Sequence, residues 1–229
     1  MYDIVFISYG EPNADNNWLI LKDQFPMAKR VKDVEGIHQA HIAAAKKCFT
    51  KMFWVVDGDA ELSRGFTFDY EVSEWDLETV HVWRSINPIN DLEYGYGGVK
   101  LLPRSLTVNM DVTVPDMTTS ISSKFKAMPE ISNITAFNTD EFSAWKSGFR
   151  ECVKLASKTI KGQVDEETEK RLDIWCSVGE DIPFGKYAIH GAKVGKHFGE
   201  AHKDDKEMLY MINNFKWLKE QFDDYKDSI

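Results

Sequence analysis

The chain has 229 residues, of which 43% are hydrophobic and 28% are charged, a composition that suits a globular protein with a sizeable core and not a disordered chain. Its formal net charge of −9 argues against coating of nucleic acid through a broad basic face, although a local basic groove is compatible with it. The three scattered cysteines exclude a disulfide framework and a cysteine-based zinc site.

The sequence shows neither a membrane span nor an export signal. Its longest apolar run, residues 52–56, is far shorter than a span requires. The N-terminus enters an apolar segment directly, without a basic region or a small-residue cleavage site. We therefore expect a cytoplasmic protein with no membrane partner.

The first sixty residues predict a strand–helix–strand unit. Residues 3–8 are β-branched and aromatic and are followed by a loop containing Gly10, a pattern typical of a buried parallel strand. Residues 35–49 have apolar side chains at helical spacing, and residues 51–56 form a second apolar strand. Two parallel strands joined in this way predict a right-handed βαβ crossover.

The remaining elements are predicted from shorter patterns. Short strands are predicted at residues 66–69, 79–83 and 99–102. Helices are predicted after a Thr139 N-cap, over residues 165–176 and, as one long amphipathic helix, over residues 204–225. The spacing of Trp83, Trp145 and Trp175 indicates core positions, and His38 and His41 have no third ligand nearby. We expect a single domain over residues 1–229, with an α/β first half and a mixed, helix-rich second half.

The sharpest local motif is Asp57-Gly58-Asp59, directly after a buried strand. In an open α/β sheet, ligands bind beyond the carboxyl ends of the strands. Carboxylate oxygens suit Mn²⁺ or Mg²⁺ bridging to substrate phosphates, and Gly58 leaves room for a turn and for a diphosphate. An exposed acidic turn is the alternative interpretation.

Residues 185–202 contain four glycines, three histidines and three lysines, and we predict a loop here. Such a loop can offer backbone N–H groups and lysine charge to a phosphate and an imidazole to a metal. A glycine-rich surface turn with solvated charges is the alternative.

The order of strand, helix, strand, Asp-x-Asp and late His-containing loop resembles the GT-A-fold glycosyltransferases, whose Asp-x-Asp holds the metal of a nucleotide-sugar. His197-Phe198-Gly199 resembles their loop with a third metal ligand, and Glu180-Asp181 resembles the Glu-Asp element of inverting members. The sequences of residues 94–103 and 137–150 resemble those of small glycosyltransferases encoded by tailed phages. The whole resemblance spans residues 3–202. It implies a Rossmann-like, mostly parallel central sheet flanked by helices.

The resemblance implies that residues 1–110 bind the nucleotide-sugar and that residues 111–229 form the acceptor side and close the site. Asp57, Asp59 and His197 would hold Mn²⁺ or Mg²⁺ against the departing diphosphate. The nucleotide part of the donor, expected to be a UDP-sugar, would lie against Ser8, Tyr9, Gly10, Arg30, Asp57, Gly58, Lys196 and Lys203. Each lysine, and Arg30, has a plain surface role as its alternative.

A reaction that inverts configuration needs a general base. Asp181 is the first candidate and Asp140 the second, although Asp140 is also placed to cap the following helix. A retaining reaction would need no separate base, and Asp181 would then bind a sugar hydroxyl. Tyr94 and Tyr96 are candidates to stack on a sugar or base.

Two other function classes stay open. A nucleotidyltransferase or phosphotransferase also uses paired aspartates, but it would want a Gly- and Lys/Arg-rich loop after the first strand, which residues 8–17 lack. A non-catalytic sugar- or nucleic-acid-binding module with structural calcium would need more oxygen ligands near Asp57.

Some phage relatives decorate hydroxymethylated cytosine in viral DNA, so the resemblance suggests 5-hydroxymethylcytosine as an acceptor, beside saccharides and proteins. A predicted basic ridge that could meet DNA phosphates, or be a solvated helix face, comprises Lys146, Arg150, Lys154, Lys158 and Lys161. The sequence indicates neither the donor sugar nor the oligomeric state.

Overall fold

The computed structural model describes residues 1–94, 97–160 and 163–226. Two compact units are interleaved along the chain. Unit 1 consists of Met1–Asn87, Glu93–Val112 and Ser120–Ala136, and unit 2 consists of Pro88–Leu92, Thr113–Thr119 and Phe137–Ile229. Tyr96 and Lys161 lie outside the described residues, as does the side chain of Tyr94.

Unit 1 contains one sheet. Its strands are β1 (Asp3–Ser8), β2 (Lys29–Lys32), β3 (Met52–Asp57), β4 (Ala60–Leu62), β5 (Val80–Ile86), β6 (Glu93–Tyr94), β7 (Val99–Pro103) and β8 (Phe125–Thr135). They are arranged in the order β2-β1-β3-β7-β5-β8-β4, with β6 paired to β5. The predicted strands at residues 3–8, 79–83 and 99–102 are confirmed, and the strand predicted over residues 51–56 is shifted by one residue.

The sheet is mixed, so the expectation of a mostly parallel sheet is wrong. Strand β1 is parallel to β2 and β3, and β5 is parallel to β8, whereas every other pairing is antiparallel. A parallel neighbour of β3 would need a long crossover connection, usually a helix. Between β3 and β7 the described chain forms the strands β4, β5 and β6 and, as its one helical turn, the 3₁₀ helix Glu74–Asp76. No crossover helix is described there, and β7 pairs antiparallel with β3. Apolar strands have the same pattern in either direction, which is why the sequence did not reveal this.

The helices of unit 1 connect its parallel strands. Helix α1 (Ala14–Gln24) joins β1 to β2, and α2 (Ile37–Lys46) joins β2 to β3, while α3 (Arg104–Val108) follows β7. Helix α2 confirms the helix predicted over residues 35–49, with Gly36 as its N-cap, but α1 and β2 were not predicted. A further short helix, α4 (Met117–Ile121), has residues from both units.

Residues 66–69 are not a strand, contrary to the prediction. Phe66 and Phe68 instead fill the core of unit 1 beside Trp54, with ring centroids 6.2 and 5.1 Å from that indole. Trp83 is buried in the same cluster, as predicted. Alternating aromatic residues thus reflect packing of an irregular segment here, not a half-buried strand.

Unit 2 is helical in its described part. Its helices are α5 (Glu141–Ser157), α6 (Asp165–Trp175), α7 (Gly185–Ala201), α8 (Lys206–Tyr210) and α9 (Phe215–Tyr225). Helices α5 and α6 confirm two predictions. The single helix predicted over residues 204–225 is wrong, because a 3₁₀ turn, Met211–Asn213, interrupts it and Asn214 caps α9 through Trp217 N at 3.1 Å.

The loop predicted over residues 185–202 is also wrong, because this segment is α7. Its glycines let α7 lie against α5 at backbone contact distance. A Cβ added at Gly191 would lie 2.1 Å from Trp145 O, and one added at Gly195 would lie 2.3 Å from Phe149 O. Small residues four positions apart thus remove the side chains that would separate the two helices. None of the described helices is long and apolar enough to cross a membrane.

Candidate functional site

The candidate site in unit 1 lies at the carboxyl ends of β1, β2 and β3. Because these strands are parallel, the loops that follow them leave from one edge of the sheet. The strand order reverses at β1: α1 leads to β2 on one side, and α2 returns to β3 on the other. Such a reversal opens a crevice between the two loops, and ligands of open α/β sheets bind there.

Arg30 and Ser8 meet at this edge. Arg30 lies opposite Phe6 in the β1–β2 register, and its Nε and Nη2 donate to Ser8 Oγ at 3.1 and 2.9 Å. Its guanidinium lies 5.4 Å from the centroid of Phe6 and 5.8 Å from that of Trp18. Arg30 was predicted as a nucleotide contact, and the structure holds its planar cation in a fixed orientation against aromatic rings.

Asp15 completes the anchoring of Arg30. Its carboxylate accepts from Arg30 Nη2 at 2.6 Å and from Lys32 Nζ at 3.1 Å. The hydrogen bond from Arg30, followed by that from Lys32, lowers the pKa of the Asp15 carboxyl below its usual value. Since the Asp15 side chain is 71% exposed whereas that of Arg30 is only 14% exposed, a ligand carboxylate or phosphate can compete for Arg30 from the solvent side.

The loops after β1 and β3 contact each other through Gly58. Glu11 accepts a hydrogen bond from Tyr9 N at 2.7 Å, and a Cβ added at Gly58 would lie 2.6 Å from Glu11 Oε2. The carbonyl of Gly58 accepts from Asn17 Nδ2 at 3.0 Å. Gly10 has φ +78°, a conformation that favours glycine. Gly58 thus makes room for the neighbouring loop, a reason different from the expected approach of a diphosphate.

Asp57, at the end of β3, forms an ion pair with Lys100 of β7. Lys100 Nζ lies 2.8 Å from Oδ1 and 2.7 Å from Oδ2 of Asp57, and it also donates to the carbonyl of Gly97. The Lys100 side chain is 3% exposed and that of Asp57 is 32% exposed. The ammonium group therefore lies below the carboxylate, and Asp57 presents its remaining surface to solvent.

One of the three residues expected to hold Mn²⁺ or Mg²⁺, Asp57, is paired with a lysine in this arrangement. Both oxygens of Asp57 already accept from an ammonium group, which would repel a nearby divalent cation. His197 belongs to unit 2 and lies on a helix, not in a loop. Within residues 1–94, 97–160 and 163–226, no three His, Cys, Asp or Glu side chains form a group that could hold a metal. Binding of Mn²⁺ or Mg²⁺ stays a prediction.

A buried polar network adjoins Gly98, whose carbonyl accepts from Asp57 N at 2.9 Å. Thr135 Oγ1 donates to Ser85 Oγ at 3.1 Å and accepts from Asn133 Nδ2 at 3.2 Å. A Cβ added at Gly98 would lie 2.5 Å from Asn133 Nδ2. Sequence reasoning missed this network and Lys100. The lone lysine in the apolar segment 99–102 could have indicated an ion pair, because a charge in a buried strand must be paired.

The remaining predicted site residues belong to unit 2. Asp140 caps α5: Oδ1 accepts from Ser143 N at 2.8 Å, and Oδ2 accepts from Ser143 Oγ at 2.7 Å and Thr139 Oγ1 at 3.3 Å. The cap is thus Asp140, which confirms the capping role given as its alternative, and not Thr139. Burial raises the pKa of Asp140, but the hydrogen bonds from Ser143 outweigh it, and the pKa lies below its usual value.

Asp181 and Lys203 are exposed in turns that precede and follow α7, and Lys196 and His197 lie on α7 itself. The predicted site residues thus fall into two groups. Those of unit 1 lie at the ends of the parallel strands or directly after them: Ser8, Tyr9, Gly10, Arg30, Asp57, Gly58 and Asp59. The others belong to unit 2.

The predicted basic ridge is engaged in contacts within unit 2. Lys146 Nζ lies 4.6 Å from the ring centroid of Phe215, and Arg150 Nε donates to the carbonyl of Ile212 at 2.8 Å. Lys154 pairs with Glu151 at 2.8 Å, and Lys158 pairs with Asp165 at 2.7 Å. These four residues thus contact their own unit, whereas the sequence had suggested DNA phosphates or a solvated helix face.

Trp145 and Trp175 are buried in unit 2, and His38 and His41 are buried on α2, in agreement with the structural roles predicted for them. Comparison with known proteins adds no identity to this geometry: no protein-family model matches the chain, and no curated protein sequence matches it.

Proposed function

We propose that the chain is a glycosyltransferase that moves a sugar from a UDP-sugar to a hydroxyl acceptor, with its donor site at the carboxyl ends of β1–β3. The single observation that supports this most is the convergence of Arg30, Ser8 and Asp57 at the reversal of strand order. The GT-A-like arrangement is part of the same proposal, since β2-β1-β3 with α1 and α2 is a nucleotide-binding topology.

Each residue of the donor site is proposed to bind a different part of the donor. Arg30, oriented by Ser8 and the Phe6 and Trp18 rings, would contact the uracil or the diphosphate. Asp57, neutralised from below by Lys100, would accept hydrogen bonds from ribose or sugar hydroxyls. The pairing matters because an unneutralised carboxylate would repel the diphosphate of the donor.

Within unit 2, Asp181 remains the candidate base, and Lys196 and Lys203 remain candidate contacts of the donor phosphates. Asp181 is exposed, as a base that must reach an external hydroxyl should be. The hydroxymethyl group of modified cytosine in DNA is the acceptor we test first.

The experiment supplies UDP-glucose, UDP-galactose, UDP-N-acetylglucosamine or UDP-arabinose with DNA containing 5-hydroxymethylcytosine, and with the same DNA containing cytosine as the control. Mass spectrometry should show a gain of one hexose or pentose on the modified base and release of UDP. Asp57→Gln should abolish transfer, whereas Glu61→Gln, an exposed carboxylate on β4, should leave it unchanged.

Release of pyrophosphate instead of UDP would indicate a nucleotidyltransferase. UDP release with a saccharide or protein acceptor, but not with DNA, would change the acceptor and keep the reaction class. Absence of UDP release from every donor, with all of these acceptors, would contradict the proposal.

A further inference from the structure

Two cysteines of unit 2 meet beside a surface cavity. Cys152 lies within α5 and is buried, and Cys176 directly follows α6 and is half-buried. The cavity has a volume of about 360 Å³. We call it the thiol cavity; it is lined by Cys176, Ser177, Glu180, Lys186, Ile189, His190 and Lys193.

The two thiols are hydrogen-bonded, and the bond makes them chemically unequal. Burial, and then the contact with Cys176, raises the pKa of Cys152 well above its usual value, so Cys152 stays protonated and donates. The hydrogen bond from Cys152 lowers the pKa of Cys176 to about 7 despite its partial burial. Lys196 and Lys193 on α7 add to this effect, and Asp173 on α6 opposes it.

Cys176 therefore combines three properties of a reactive cysteine: a thiolate form at neutral pH, an opening to solvent through the thiol cavity, and a second thiol in contact. A thiolate at a cationic, accessible position is the species that peroxides oxidise. The second thiol, which interacts with the first, is what resolves the oxidised product.

We propose that Cys176 is a peroxide-reactive thiol that closes a disulfide with Cys152. The Cys176 thiolate attacks one oxygen of hydrogen peroxide, the O–O bond breaks, and hydroxide leaves, which gives the sulfenic acid. The Cys152 sulfur then attacks the Cys176 sulfur, the S–O bond breaks, and water leaves with the Cys152 proton. Two thiols are oxidised and one peroxide is reduced to two waters. This proposal is independent of the proposed sugar transfer.

Cys48 provides an internal control. It is buried in unit 1, its Sγ donates to Ala44 O at 3.3 Å, and burial raises its pKa to about 12. The same chain thus contains one cysteine expected to react and one expected to stay inert under identical conditions.

The experiment treats the reduced full chain with a small excess of hydrogen peroxide, blocks the remaining thiols with N-ethylmaleimide and analyses the unreduced digest by mass spectrometry. We expect a cross-linked peptide pair joining Cys152 to Cys176, reversed by dithiothreitol, with Cys48 fully labelled. In Cys152→Ser, dimedone should trap a sulfenic acid at Cys176. Cys48→Ser should form the same cross-link as the natural chain.

A second readout is the pH dependence of Cys176 alkylation by iodoacetamide. The charged and titratable groups around it are Cys152 on α5, Asp173 on α6, Lys186, His190, Lys193 and Lys196 on α7, and Glu180. The rate should rise with a midpoint near pH 7, and Lys196→Met should slow it at pH 7 by about threefold or more. A Cys176 that is no more reactive than Cys48, or that overoxidises without the cross-link, would overturn the proposal.

Discussion

Lys100 Nζ lies 2.8 Å from Oδ1 and 2.7 Å from Oδ2 of Asp57, so a buried lysine of the antiparallel strand β7 neutralises the carboxylate that ends the parallel strand β3. The pair thus connects a strand of the parallel part of the sheet to an antiparallel strand, at the edge where the donor is proposed to bind. It also places a positive charge of the protein itself beside the Asp-x-Asp motif.

Replacement of Lys100 by Met should destabilise the protein, because it removes the cation from a partly buried carboxylate. Since Asp57 is 32% exposed and water solvates it in part, we expect a loss of about 1–3 kcal/mol in the free energy of unfolding. Urea unfolding followed by circular dichroism measures this. The double variant Lys100→Met/Asp57→Asn should lose less than the sum of the two single variants.

Lys51→Met is the matched control, because Lys51 is an exposed lysine just before β3. Its effect should stay within about 0.5 kcal/mol. Equal losses for the two lysine variants, or strict additivity in the double variant, would show that the Lys100–Asp57 pair contributes nothing specific.

Replacement of Gly195 by Ala should destabilise unit 2 although alanine is the better helix former. In an exposed helix the change would add about 1 kcal/mol of stability. Here the new Cβ would lie 2.3 Å from Phe149 O, so α5 and α7 must move apart, and we expect a loss of about 1–3 kcal/mol. Thermal unfolding measures the sign. Glu200→Ala, at an exposed position of α7, should change little, and a stabilised Gly195→Ala would disprove the close packing.

Asp140 should behave as a helix cap. Asp140→Ala should lose about 1 kcal/mol at pH 7, whereas Asp140→Asn should retain the cap and sugar transfer. Because the folded-state pKa is lowered, the contribution of the Asp140 charge is present above its unfolded value of 3.8 and is lost as the pH falls through the folded value. Urea titrations at several pH values test this. A fully folded Asp140→Asn protein that has lost transfer would instead identify Asp140 as the base.

His41 should make the protein sensitive to mild acid. Burial, followed by the charge of Lys100, lowers the pKa of His41 to about 3. Below pH 6.5 the imidazole is protonated in the unfolded chain but stays neutral in the folded chain. The free energy of unfolding therefore decreases by about 1.4 kcal/mol for each pH unit of acidification, until the pH reaches the folded-state pKa. The slope of unfolding free energy between pH 6.5 and 4.5 measures this uptake.

His81 and His190 also have lowered pKa values, chiefly through burial, and they add to the slope of the natural chain. His41→Gln, in which the side-chain amide can replace the imidazole contact with Ile37 O, should reduce the slope by about one proton. An unchanged slope would show that His41 does not titrate differently in the two states.

The spacing of apolar residues was sufficient to predict a helix or strand where its buried residues recur at regular intervals. Strand β1, helix α2 and the tryptophan positions follow from apolar spacing alone, and the same spacing predicts α5 and α6. Strand β8 was missed because its buried residues do not alternate and Pro129 interrupts the run. A strand of this kind is fixed by pairing with β5, which lies about fifty residues earlier.

Two features that the sequence did not reveal, one in each unit, depend on partners far apart in sequence. The glycines of α7 indicate a loop when considered alone, and only the proximity of α5, about 45 residues earlier, explains them as packing positions. Likewise, the Asp57-Gly58-Asp59 motif gives no sign of Lys100, which β7 places against Asp57. The residue types thus predicted where the polar side chains of unit 1 cluster. The net charge of that cluster depends on a strand pairing that the sequence did not reveal.

The most direct test of the proposed donor site is isothermal titration calorimetry of UDP into the natural chain, in a chelator and again in Mn²⁺. We predict binding under both conditions, weakened about tenfold or more by Arg30→Met, which removes a charged hydrogen-bond donor, and unaffected by Lys51→Met. Absence of UDP binding under either condition, or binding that Arg30→Met leaves intact, would contradict a nucleotide site at the carboxyl ends of β1–β3.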